Sequence, residues 1–269
     1  MSNIVQRTLT GVIFLAVTIL AIVGSVYSFL ALFAIIAGLS LWEYGRLVSL
    51  KGASPIPWQL IFSSFIMLGV GFSAAAGFIP LKVLLIITLL ILLVPLREVY
   101  RKKESPFLNI ALNIFGLIYI GVPFLLLIFI GYYDGTYNYQ YVLGLFVLTW
   151  CYDTFAYVFG ISFGKHRLLE RISPKKSWEG FLGGTILTLV IAWFLPVVFP
   201  VFASLEWVIV AAIAIVGGTF GDLIESLIKR NIDLKDSGSI LPGHGGILDR
   251  FDSVFFSIPI YFIYIFLLV

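Results

Sequence analysis

Residues 8–41 read TLTGVIFLAVTILAIVGSVYSFLALFAIIAGLSL, without one charged side chain. A helix rises about 1.5 Å per residue and a bilayer core is about 30 Å thick, so roughly 20 apolar residues suffice for one crossing and this stretch is too long for one. Only Gly24-Ser25 divides it, which predicts two helices meeting there. Arg7 ahead of an apolar run is also the pattern of a signal peptide. No small-x-small cleavage site follows and the apolar sequence continues, so the reading is an uncleaved first helix.

The rest of the chain has the same character. Of its 269 residues 61% are hydrophobic and 12% charged, too few charges to cover a water-soluble monomer, and mean hydropathy is +1.09. Disorder is excluded by the same figures. Continuous runs such as Leu81–Leu93 argue against the short alternating strands of an outer-membrane barrel. The single cysteine, Cys151, excludes an intrachain disulfide framework and most zinc clusters. Apolar runs between charged or turn-forming residues predict spans near 8–24, 26–46, 58–76, 80–97, 106–130, 140–160, 179–200, 204–228 and 249–268. The fold class is therefore an all-α integral membrane protein, a polytopic bundle of about nine transmembrane helices.

The basic residues test that count. With a cytoplasmic N-terminus, nine spans place every lysine and arginine except Lys82 on the cytoplasmic side, 16 of the 17. This is the asymmetry of the positive-inside rule, and one miscounted span in mid-chain would destroy it. The formal charge of +3 thus reports insertion rather than a nucleic-acid partner. No internal repeat suggests a transporter built from two similar halves. Acids are sparse in 1–140 and occur mostly near helix ends there, whereas from 150 onward they lie inside or at the mouths of spans, alongside the long loops 164–178 and 230–248. The division expected is a scaffold region, 1–140, for lipid access or dimerisation, and a catalytic region, 141–269.

Asp222, Glu225, Ser226 and Lys229 fall at i, i+3, i+4 and i+7 of the eighth span and so share one face. Asp249, Asp252 and Ser253 repeat the i, i+3, i+4 spacing where the ninth begins. A charge within a membrane helix costs about 2.5–3.5 kcal/mol on insertion scales, so these stripes need compensation. One reading pairs the acids with Lys229, Arg230 and Arg250 as structural salt bridges; the other has them bind a divalent cation, for which several carboxylates with few nearby bases are better suited.

Between the stripes, residues 231–246 (NIDLKDSGSILPGHGG) are polar, glycine-rich and doubly charged. Glycines let backbone N–H groups approach a polyanion while bases neutralise it. His244 caps the ninth helix, ligates phosphate or transfers a proton. In Ser173-Pro174-Lys175-Lys176-Ser177-Trp178-Glu179-Gly180, Ser177 is placed to cap the seventh helix, whose positive end beside Lys175 and Lys176 would suit a phosphate. An ordinary basic loop against anionic headgroups explains that segment equally well. Asp153, read as buried in the sixth span, belongs to the polar site or to a structural hydrogen bond. Gly180/Gly184 and Gly217/Gly221 are small-x-x-x-small pairs, the mark of tight helix packing.

The stretch Ser226-x-Ile228-Lys229-Arg230-x4-Lys235-Asp236-x-Gly238-x2-Leu241-Pro242-x-His244-Gly245-Gly246-Ile247-x-Asp249-Arg250-Phe251-Asp252 resembles the signature of the phosphatidate cytidylyltransferases, the CDP-diacylglycerol synthases, at every fixed position over 27 residues. The Ser-Pro-Lys-Lys-Ser-Trp-Glu-Gly segment and the Asp153 region also look like elements of that family. The resemblance is strong over roughly 150–252 and general elsewhere. It implies a multi-pass enzyme of the cell (inner) membrane, its active site facing the cytoplasm, that condenses CTP with phosphatidate to CDP-diacylglycerol and pyrophosphate and requires Mg²⁺. On that footing Asp222 and Asp249 are the first candidates for metal ligands, with Asp252, Glu225 and Asp153 in support and one or two cations bound. Lys175, Lys176, Lys229, Arg230, Lys235 and Arg250 would hold phosphates, Gly245 and Gly246 would offer N–H groups, and Ser177, Ser226 and Asp236 complete the substrate surface. Lys229, Arg250 and His244 would act in the reaction beside the two aspartates.

An ion-coupled transporter using the membrane carboxylates is the competing reading, and it calls for acids near the bilayer midplane and a pathway open to both sides in turn. The spaced aspartates of a CDP-alcohol phosphotransferase are not in the sequence. A related cytidylyltransferase acting on another lipid backbone stays open at this level. The expected partners are CTP, phosphatidate and membrane phospholipids, and small-residue and aromatic faces permit a homodimer.

Overall fold

At Ser25 the chain breaks out of helical geometry into an extended conformation, and its hydroxyl accepts the Ser28 N–H at 3.1 Å while the Ser28 hydroxyl accepts the Ser25 N–H at 3.0 Å. This reciprocal cap satisfies donors that a helix start would otherwise leave unpaired, and it divides the opening apolar run into α1 (Asn3–Gly24) and α2 (Val26–Ser49). The computed structural model describes residues 3–50, 52–232, 234, 237, 238, 240 and 245–269, with side chains from Thr8 onward.

Seven further helices follow among the described residues: α3 (Pro57–Ala75), α4 (Ile86–Val99), α5 (Pro106–Gly131), α6 (Tyr139–Phe163), α7 (Trp178–Phe194), α8 (Ser204–Asn231) and α9 (Leu248–Leu267). Each predicted span has its helix, and seven of the helical segments are long and apolar enough to cross a membrane, which makes this an all-α, multi-pass membrane protein. The span expected at 80–97 takes a different form. A 3₁₀ turn, Leu81–Leu85, leads into the 14 residues of α4, and the two together reach about 31 Å. Within α5 a wide π-turn at Leu117–Gly121 precedes Pro123, which has no N–H to offer the Tyr119 carbonyl.

The helices belong to two compact units, residues 1–137 with 232–250 and residues 138–231 with 251–269. The first turn of α9 is grouped with the N-terminal unit and the rest of that helix with the C-terminal one.

In the N-terminal unit α2 packs on α1 and α3, and α4 on α5. A buried polar clasp ties the loop before α3 to the last two of these. Asn109 donates to Glu98 at 2.7 Å and accepts the Ser54 N–H at 2.8 Å, while Arg101 donates to Glu98 at 2.8 Å and to the Ser54 carbonyl at 2.7 Å. Every charge in the clasp has a partner, which is the condition for holding such groups at a membrane boundary.

In the C-terminal unit the loop expected at 164–178 contains a short antiparallel hairpin, β1 (Arg167–Leu169) and β2 (Ser173–Ser177), with an irregular register. Its last residue, Ser177, caps α7 by accepting the Gly180 N–H at 3.2 Å, as the sequence suggests. The small-x-x-x-small pairs pack helices tightly. A Cβ at Gly180 would lie 2.6 Å from the Ala156 carbonyl of α6, and one at Gly217 would lie 2.6 Å from the Ser257 Cα of α9.

Candidate active site

The helical spacing of Asp222, Glu225, Ser226 and Lys229 is realised along one face of α8, towards its C-terminal end. Glu225 and Lys229 are 1% and 8% exposed and pair at 2.9 Å, and Ser226 donates weakly to Asp222 at 3.4 Å. Asp222 also pairs with Lys176 of β2, so the cap and hairpin that begin α7 place one lysine of the basic segment directly on the acidic stripe. Asp252 of α9, 8% exposed, completes the group. One carboxylate oxygen each from Asp222, Glu225 and Asp252 lies within 4.8 Å of the others. Gly221 makes this meeting of α8 and α9 possible, because a Cβ there would run into the Asp252 backbone.

Asp153 of α6 faces the same group closely enough for its charge to act on Asp252, but its side chain is exposed, not buried as the sequence reading had it. An apolar helix gives no periodic signal of which face its neighbours cover, so burial at 153 was not legible. One residue earlier, Tyr152 turns inward and shares a 2.6 Å hydrogen bond with Thr219 of α8.

Both stripe readings find something in these contacts. Two acids do pair with lysines, as a structural reading requires. Yet Asp252 brings a third carboxylate to the two that pair with lysines. An all-oxygen donor set of three carboxylates suits a hard divalent cation, whose opposed ligands lie about 4.2 Å apart at bond lengths of about 2.1 Å.

In the N-terminal unit, Asp249 near the start of α9 accepts the Ser237 N–H at 3.0 Å and the Gly246 N–H at 2.8 Å. Its carboxylate therefore organises the glycine segment, and the Gly246 donor expected for phosphate is engaged internally. Gly245 adopts φ +82°, where a side chain is disfavoured. Arg230, Arg250 and Lys175 are exposed, and Ser177 is buried at its capping position. Lys235, Asp236 and His244 lie outside the described residues.

Two acids were missed by the sequence reading. Glu179, in the first turn of α7, accepts the Lys165 N–H at 3.0 Å and the His166 N–H at 3.2 Å and contacts the His166 ring at 2.6 Å, closing the base of the hairpin. Its place in the first turn of a capped helix, where an acid complements the helix dipole, was the available signal. Glu43 of α2 is 2% exposed and reaches the glycine segment, accepting the Leu248 N–H at 2.9 Å and the Ser237 hydroxyl at 3.4 Å.

The sequence model of the Cytidylyltransferase family matches residues 5–268. Among curated relatives, the phosphatidate cytidylyltransferase of Staphylococcus haemolyticus is 36% identical over 94% of this chain and 96% of its own length, and that of Bacillus subtilis 35% identical over 98% of each. The phosphatidate cytidylyltransferase of Staphylococcus saprophyticus is 41% identical over 60% of this chain, a match spanning 61% of that relative. With a family match running almost end to end and relatives about a third identical over nearly their whole length, the chain belongs to the cytidylyltransferase family.

Proposed function

We propose that this protein is a phosphatidate cytidylyltransferase of phospholipid biosynthesis, a nucleotidyltransferase that converts CTP and phosphatidate to CDP-diacylglycerol and pyrophosphate. An oxygen of the phosphatidate phosphate attacks the α-phosphorus of CTP, the new P–O bond forms, and the bond to the β-phosphate oxygen breaks to release pyrophosphate. The nucleophile is already anionic, so alignment and charge neutralisation matter more than a strong base. The observation that carries the reading is the group of Asp222, Glu225 and Asp252 with Lys176 and Lys229 beside it, in a chain whose family handles cytidine nucleotides.

Asp222, Glu225 and Asp252 would hold Mg²⁺, with Asp249 and Asp153 as further carboxylates and a second cation accommodated. Bound there, the metal neutralises charge on the reacting phosphates. Lys176 and Lys229, anchored on Asp222 and Glu225, present ammonium groups to phosphate oxygens, and Lys175, Arg230, Lys235 and Arg250 extend that field. Ser177, Ser226, Asp236, Gly245 and Gly246 shape the substrate surface, and His244 supports the phosphates from the glycine segment. The site opens at headgroup depth on the cytoplasmic face of the cell membrane, with the N-terminus on the same side, because the bases collect there. The N-terminal helices serve lipid access or assembly as a homodimer.

The test is incubation of purified protein with radiolabelled CTP, phosphatidate and Mg²⁺, with EDTA and dATP controls. Lipid-linked CMP that EDTA abolishes is the expected outcome. No such product overturns the reading. The transporter alternative has no support in the family match.

A further inference from the structure

We infer that Glu43, on α2 in the N-terminal half, is a positioning residue of the active site: it caps α9 from another helix and, through Ser237 and Leu248, holds Asp249 and the glycine segment in register. The inference deepens the functional reading and rests on it.

Leu248 is the first residue of α9, and the N–H groups of a first helical turn have no partner inside the helix. The Leu248 N–H goes to Glu43 at 2.9 Å, a contact between residues 205 positions apart. A carboxylate at that end also complements the helix dipole. Ser237 is gripped twice, its N–H by Asp249 at 3.0 Å and its hydroxyl by Glu43 at 3.4 Å. The two acids thus share one segment, Asp249 from within α9 and Glu43 from α2.

Glycine gives the contact its room on both sides. A Cβ at Gly238 would fall on one Glu43 carboxylate oxygen and a Cβ at Gly246 on the other, at 2.5 Å. Gly238 therefore leaves room for Glu43, and Gly246 for Glu43 and the Ser237 hydroxyl together. The remaining Glu43 oxygen, Oε1, has no hydrogen-bond partner among the described residues, although the side chain is 2% exposed. A charged group buried that thoroughly on a membrane helix, satisfied chiefly by the segment it holds, serves that segment rather than its own helix.

The test uses the full-length protein in detergent or lipid nanodiscs, with Glu43→Ala, Glu43→Gln, Asp249→Asn and the double variant Glu43→Ala/Asp249→Asn. Glu43→Ala should lower kcat at least tenfold and raise the Mg²⁺ concentration for half-maximal rate at least fivefold. Glu43→Gln, which keeps an acceptor for Leu248, should lie between it and wild type. If Glu43 acts through Asp249, the double variant is no slower than Asp249→Asn alone, within twofold. Thermal unfolding of each variant is measured alongside, and Glu43→Gln carries the comparison if Glu43→Ala fails to fold.

Independent, multiplying losses in the double variant, or wild-type Mg²⁺ dependence in both Glu43 variants while Asp249→Asn is impaired, overturn the role of Glu43 and leave the functional reading standing. Asp249→Asn at wild-type rate overturns the assignment of Asp249, and the role of Glu43 with it.

Discussion

Asp222→Asn removes a charge from the three-carboxylate group without changing its size, and Mg²⁺-dependent turnover should fall by more than about tenfold. A change under about threefold in labelled-CTP turnover would remove Asp222 from the metal site. Lys175→Ala, at an exposed position of β2, should instead raise the apparent KM for CTP or phosphatidate several-fold with kcat nearly preserved, as steady-state kinetics would read. The α8 stripe was legible because residues three, four and seven apart must share a helix face, and the fold respects that rule. Glu43 was not, since its partners lie 194 and 205 positions away and nothing local separates it from an acid at a helix mouth. Nor did spacing reveal that Asp249 spends its carboxylate on Ser237 and Gly246.

The helices themselves were readable from length and charge because the bilayer sets a minimum apolar run, and the Ser25 cap shows how little sequence is needed to divide one run into two. The hairpin was not readable, because strands of three and five residues carrying Pro174 and two lysines have no alternation to find. Ser177→Ala removes the cap that joins the hairpin to α7 and should cost about 1 kcal/mol, seen as a lower unfolding temperature. Gly180→Leu drives a side chain into the α6 backbone and should cost about 1–3 kcal/mol or more, with loss of folded protein on size-exclusion in detergent. The same leucine on the exposed face, at Val190, should be nearly silent.

Orientation is a property of the whole chain. With Cys151 as its only cysteine, a Cys151→Ser background permits single-cysteine labelling in oriented membrane vesicles. A cysteine at Lys82 should react with an impermeant maleimide from the outside and one at Lys175 only from the cytoplasmic side, and the reverse pattern would overturn the assigned topology. The grouping of residues 232–250 with the N-terminal unit has another consequence, one that concerns biosynthesis. A ribosome delivers this chain in order, so α2 enters the membrane with Glu43 long before Ser237 and Leu248 exist to receive it. The unit begun first stays unfinished until residue 250 is made, and a nascent chain stalled before residue 232 would present the insertion machinery with an acid still awaiting the partners that bury it.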